Sequence, residues 1–190
     1  MRFQRLGSPG HARRRRKERR LGEPRPARLG QAHAQEIRRD RENADSLIRF
    51  GQPATAREIL QTLCYDDGDD VACQNLGVMA MTGEGGVVDM AAGRAAFARG
   101  CDLQLPEACQ NLADALVSGD GGPVEDVRAL SLYLELCQRR YGGRNCYSAA
   151  LMIEEGRGVT HPDAAKAQEG YRSACDMRYR PACDRVKGEP

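Results

Sequence analysis

The chain has 190 residues, with 29 basic and 27 acidic side chains, eight cysteines, three phenylalanines and no tryptophan. That length fits one domain or one short repeat array, no stretch approaches the roughly 18–20 apolar residues of a membrane span, and the wealth of Leu, Ala, Glu and Arg without β-branched runs argues for helix and against sheet. The net charge of +2 hides an asymmetry, because residues 1–28 carry a net +9 and residues 29–190 a net −7.

Residues 1–30 read as a disordered basic tail. They contain Pro9, Pro24, Pro26 and a run from Arg13 to Arg20 broken only by Glu18, with no apolar face to bury. Clustered arginine is the footprint of a nucleic-acid or anionic-membrane anchor, and equally of a solvated tail. No aromatic residue interleaves the run, so the stacking half of a single-strand binding site is missing. No apolar h-region of a secretory signal precedes residue 45.

From about residue 35 the pattern turns helical. Ile37, Ala44, Leu47 and Ile48 fall on one helical face, Gly51 ends that helix and Pro53 suits the first turn of the next. Ala56, Ile59, Leu60 and Leu63 carry the second helix to Cys64. This unit, 35–64, lacks the glycine-rich turn of its successors and reads as an atypical cap. Units 65–101, 102–137 and 138–175 each hold a first helix, a glycine-bearing turn, a second helix and a terminal cysteine. Their turns contain Gly83, Gly85 and Gly86, then Gly119, Gly121 and Gly122, then Gly156 and Gly158, where positive φ permits a tight reversal. Asp89, Asp126 and Asp163 stand where caps or first-turn acids belong. Residues 176–190 open a further first helix that would cover the end of the stack. The reading is an all-α fold: an α/α solenoid, a right-handed superhelix of about four helix-hairpin repeats with a terminal capping helix, over 31–190. Its core is expected to be Leu, Ala, Val, Met and a few Tyr.

The cysteines lie on a fixed ruler. The pairs Cys64/Cys73, Cys101/Cys109, Cys137/Cys146 and Cys175/Cys183 have internal offsets of 9, 8, 9 and 8, and successive pairs start 37, 36 and 38 residues apart. That period is one helix-turn-helix unit. Even count and matched spacing predict one disulfide at each joint between units. The rival readings are reduced thiols packed as small hydrophobes in a reducing compartment and zinc, which the absence of short C-x₂₋₄-C spacing disfavours. Paired cysteines point to an oxidising compartment (periplasmic, secreted or mitochondrial intermembrane), and the missing signal segment points to the cytoplasm. The residues leave both open.

The stretch "ACQNLGVMAMTGEGGVVDMAAGRAAFARGC", with Ala72, Leu76-Gly77, the Gly83-x-Gly85 turn, Asp89 and Ala95-Ala96, resembles the Sel-one-like repeat family of antiparallel helix pairs. With a cysteine pair at each joint it looks most like that family's cysteine-rich branch, which includes secreted bacterial proteins and a mitochondrial cytochrome c oxidase assembly factor. The resemblance covers about 54–185. The Leu-Gly pair becomes Leu112-Ala113 and then Ala150-Leu151, and two cysteine pairs carry one extra residue. The resemblance also brings a β-lactam connection, because some secreted relatives bind penicillin or hydrolyse β-lactams weakly. The residues here give that little support: no serine is followed three residues on by lysine, and the chain has only three lysines and three histidines. No catalytic residue, metal site or cofactor is assigned.

A binding face is easier to place. Opposite Cys73 and Leu76 on the wheel stand Asn75, Val78, Met79 and Thr82. The matching sets are Asn111, Asp114, Ala115 and Ser118, then Ser148, Leu151, Met152 and Glu155. Stacked first helices line the concave side of such solenoids. The expectation is a non-catalytic monomeric scaffold that holds an extended peptide or partner protein on this face. Asn75 and Asn111 would contact the peptide backbone, Met79 and Met152 would supply adaptable apolar contact, and Asp114 and Ser148 are further candidates on the same face.

Overall fold

The computed structural model describes residues 30–186; the expected basic tail lies outside them. Nine α-helices follow in order among the described residues: α1 Gln31–Arg49, α2 Pro53–Thr62, α3 Asp70–Thr82, α4 Met90–Asp102, α5 Pro106–Ser118, α6 Asp126–Gln138, α7 Gly143–Glu155, α8 Ala164–Asp176 and α9 Arg180–Val186. The six from α3 to α8 have 13 residues each. Equal lengths let every turn fall on one edge of the stack and every joint on the other. Helices pair within units (α3 with α4, α5 with α6, α7 with α8) and stack between them (α4 on α5, α6 on α7). No strand occurs among the described residues, and none of their helices is long and apolar enough to cross a membrane.

The starts and stops have local causes. Asp69, Asp89 and Asp163 accept from Ala72 N, Ala92 N and Lys166 N at 2.7, 2.9 and 3.0 Å, each satisfying one orphan donor of a helix start. Asp126 is the first residue of α6, one place inside its Glu125 cap. Arg41 of α1 holds Asp69 with two bonds of 2.9 and 2.7 Å, so the cap of α3 also ties the first unit to the second. α1 begins at Gln31, four residues before the unit start read from the sequence.

The core is largely alanine, leucine and three ring residues. Phe97, Tyr133 and Tyr171 occupy equivalent places on α4, α6 and α8, and all are buried. Small residues make room: a Cβ at Gly77 would sit 2.4 Å from the Phe97 ring. The matching pair in the fourth unit is Ala149-Ala150, both buried, and not Ala150-Leu151: Ala149, like Leu76 and Leu112, stands three residues past the second cysteine of its joint. Valine is absent from the core. Every valine among the described residues is exposed or half-buried, because the close helix spacing favours alanine at the crossings.

Disulfides join Cys64 to Cys73, Cys101 to Cys109, Cys137 to Cys146 and Cys175 to Cys183, with Cα separations of 4.4–4.7 Å. Burial sets the cysteines apart from a surface site. Cys64, Cys73 and Cys146 are each 0% exposed, so these three are core residues as well as staples and offer nothing to a ligand. Cys146 packs with Ala174 and Ala182 under the end of the stack, while its partner Cys137 is half-buried.

Each joint turns through one left-handed residue: Gly68, Gln104, Arg140 and Arg178, with φ of 68, 71, 60 and 63°. The following N–H returns to the helix just ended, as Leu105 N to Gly100 O, Tyr141 N to Leu136 O and Tyr179 N to Ala174 O, the hydrogen-bond pattern of a Schellman turn. The two nine-residue offsets have separate explanations. In the first joint the extra residue is absorbed by a π-helical turn, Leu63–Asp67, and Asp69 N reaches back to Leu63 O. In the third it is Gly142, at φ 79°.

Three of the four joints thus place a side chain where L-residues pay about 1–2 kcal/mol. Allowing for glycine's greater unfolded-state entropy, Gln104→Gly, Arg140→Gly and Arg178→Gly should each raise stability by about 0.5–1 kcal/mol. Denaturant titration of the oxidised protein is the check, with Gly68→Ala expected to move the midpoint the other way.

Candidate groove along the first helices

An open groove of about 450 Å³ runs between α3 and α5 and ends at Arg144 on α7. Its apolar wall is Val78, Met81, Phe97 and Val117, and its polar wall includes Asn111, Asp114, Ser118 and Asp120. Val78 is 41% exposed. Phe97 and Tyr133 reach the floor from the second helices, between the first helices that pack over them.

Asp114 organises the polar side. One of its oxygens accepts from the Tyr133 hydroxyl and the other from Arg144 Nη2 at 2.8 Å. Burial, and next the Asp114 carboxylate, push the Tyr133 phenol well above its ordinary range, and Ser148 lies against the same hydroxyl. One unit on, the arrangement recurs. Tyr171 donates to Glu154 at 2.7 Å, Arg185 of α9 donates to the same oxygen at 2.6 Å, and its guanidinium sits 5.2 Å over the Tyr171 ring. The acid, phenol and arginine tie α5 to α6 and α7 at the groove, and α7 to α8 and α9 one unit on. What remains for a ligand is the Asn111 amide, the Ser118 and Asp120 edge, and the apolar strip.

The expected contact residues divide. Asn111 and Asp114 line the groove, Asp114 with both oxygens already engaged. Asn75 and Ser148 are half-buried on the neighbouring first helices, outside its lining. Met79 and Met152 are not surface contacts: at 2% and 3% exposure they are core residues. They share one register position with Ala115, itself 3% exposed. An interior first helix is covered by its own partner and by the neighbouring units, so only a narrow arc stays open. Val78 lies in that arc and Met79 falls outside it. The apolar residues that line the groove are Val78 and Met81 instead, with Phe97 and Val117. Sequence reasoning also missed Tyr133 and Arg144, whose link to Asp114 spans 19 and 30 residues.

A second recurrent device sits on the turn edge. Arg57 on α2 donates to Val87 O at 3.1 Å, and the equivalent Arg94 on α4 donates to Pro123 O at 2.8 Å and pairs with Glu125. Each clamps the turn of the next unit. In the fourth unit the direction reverses: Arg157 of the turn reaches back to Asp126 and Val117 O. Among the described residues, no group of three His, Cys, Asp or Glu is placed to hold a metal ion.

No family model matches the chain, and no curated protein does. Solved structures do. A protective antigen present in uropathogenic Escherichia coli strains, described as displaying an SLR fold, superposes with a TM-score of 0.72 at 23% identity, over 82% of this chain and 33% of its own length. A Sel1 repeat protein from Oxalobacter formigenes gives a TM-score of 0.63 at 16% identity, over 77% of this chain and 57% of its own. The chain therefore spans about a third of one relative and somewhat over half of the other. Helix pairs of constant length, left-handed joints and these superpositions together give the chain the Sel1-like repeat fold, with a disulfide at every joint.

Proposed function

We propose that the protein is a non-catalytic, disulfide-stapled scaffold that holds an extended peptide or the extended segment of a partner protein in the groove between α3 and α5. The observation that carries this reading is the pairing of an open apolar strip, Val78, Met81 and Val117, with the Asn111 amide in one groove. An amide offers a donor and an acceptor to one peptide unit. The strip offers a seat for an alternate side chain of the same strand. Asn75 and Ser148 would extend the polar row at the two ends. The disulfides hold successive first helices in register, so the groove keeps its width without ligand.

Panning a peptide-display library against the oxidised full chain, then titrating a labelled selected peptide, tests this. Asn111→Ala with Asn75→Ala should weaken binding by about 1–3 kcal/mol for each buried pairing lost, and Val78→Glu should weaken it further, with helicity unchanged. Selected peptides that ignore all three substitutions, yet lose affinity when residues 1–30 are deleted, would move the function to the basic segment.

A further inference from the structure

We propose that the joint edge of the third and fourth units, whose hollow shares no lining residue with the groove, binds an extended acidic segment of a partner protein. Arg140 and Arg178 occupy the same register position at consecutive joints, and both are exposed. Neither guanidinium pairs with another described residue. Both hold left-handed backbone, at φ 60 and 63°, where the first joint uses Gly68. A strained residue retained where glycine would be free of strain is a reason to look for what its side chain does.

Arg140 also rims a concavity of about 310 Å³ with Tyr141, Gln110 and Asn145. Asn145 is 1% exposed; its Nδ2 donates to Tyr141 O, while its Oδ1 has no partner. One small hollow therefore combines an unpaired cationic donor on the rim with an unpaired buried acceptor in the wall. A carboxylate answers the first and a backbone N–H the second, and an extended acidic peptide carries both in adjacent residues. Helices α5 and α7 start at this hollow with Leu105 and Gly142 as caps and no side-chain cap bond. Their free N–H groups add to the preference for negative charge. Glu107 stands in the same wall. It tolerates one carboxylate beside Arg140 but opposes a dense run of phosphates, which favours an acidic peptide over a nucleic acid. Arg178 and Arg180, both exposed, continue the edge one repeat farther on.

The test titrates the oxidised full chain into three fluorescein-labelled probes: a dodecapeptide alternating Asp and Gly, its Asn-for-Asp counterpart, and a twelve-residue oligothymidylate. The Asp peptide should bind with an affinity that falls as salt rises, and the Asn peptide should not bind. The double variant Arg140→Gly with Arg178→Gly keeps the joint backbone unstrained while removing both charges, and it should bind about tenfold or more weakly. Replacing Arg13, Arg14, Arg15 and Arg16 by Ser, or Asn111 by Ala, should leave the Asp peptide's affinity unchanged, which separates this edge from the basic segment and from the groove. Equal binding of the Asp and Asn peptides, an intact affinity in the double variant, or tighter binding of the oligothymidylate with the same arginine dependence would each overturn the proposal.

Discussion

Reducing the four disulfides is expected to unfold the repeat array at room temperature. Each bond closes a loop of 8 or 9 residues, which in the chain-entropy description contributes about 2.5 kcal/mol. Four such loops contribute about 10 kcal/mol, comparable to the whole net stability of a domain this size. The core has little to set against that loss. Much of it is alanine, and its buried ring residues are three, one in each of the last three units. Far-ultraviolet circular dichroism should show a cooperative transition in the oxidised protein and a largely lost helical signal after reduction and alkylation. Coincident melting curves with and without reductant would refute this. The bonds should also yield in order. Cys64 and Cys73 are both fully buried, whereas Cys175 and Cys183 are half-buried at the end of the stack behind a seven-residue helix. The third bond stands between these cases, with Cys146 fully buried and Cys137 half-buried. Timed alkylation with peptide mapping should therefore label Cys175 and Cys183 early and Cys64 and Cys73 last.

The joints were the legible part of this chain because their signal is local. Two cysteines eight or nine residues apart, repeated at one period, locate a helix end, a turn and a helix start without any knowledge of the neighbours. The same locality explains Asp89 and Asp163, each three residues from the amide it caps. Contacts between units left no such mark. Arg57 and Arg94 look like ordinary helix-surface arginines in sequence, yet each clamps a turn about 30 residues ahead. The groove was half legible for the same reason. A helical wheel separates the Cys73 and Leu76 side from its opposite, which brought Asn111 and Asp114 to the groove. It does not say how much of that opposite side neighbouring units cover, and Met79 and Met152 fell on the covered part.

The turn glycines show most sharply what a single unit cannot reveal, and they lead to the second large effect, at Gly121. The turn requires positive φ there, 73°, and that alone makes alanine cost about 1–2 kcal/mol. The larger reason is the neighbouring unit. A Cβ at Gly121 would lie 2.2 Å from Met90 O and 2.9 Å from Ala91 Cα, backbone atoms at the start of α4. Gly85 meets Pro53 O in the same way at 2.4 Å, and Gly158 meets Asp126 O at 2.6 Å. These glycines let each turn seat directly on the second-helix start of the unit before it. Backbone cannot rotate aside, so Gly121→Ala must lift the turn and with it the bond from Arg94 to Pro123 O. Overpacking of this kind costs a further 1–3 kcal/mol or so, for a total of about 2–5 kcal/mol. Two internal references isolate the inter-unit part. Gly51 has φ 76° and open space around its missing Cβ, and Gly119 has φ 80° but meets first the Val124 side chain, at 3.2 Å. Gly51→Ala and Gly119→Ala should therefore cost only the left-handed penalty, about 1–2 kcal/mol. Guanidinium titration of the three oxidised variants should place Gly121→Ala at least 1 kcal/mol or so below the other two. A Gly121→Ala variant no less stable than Gly51→Ala would mean that the turns do not hold the repeats together.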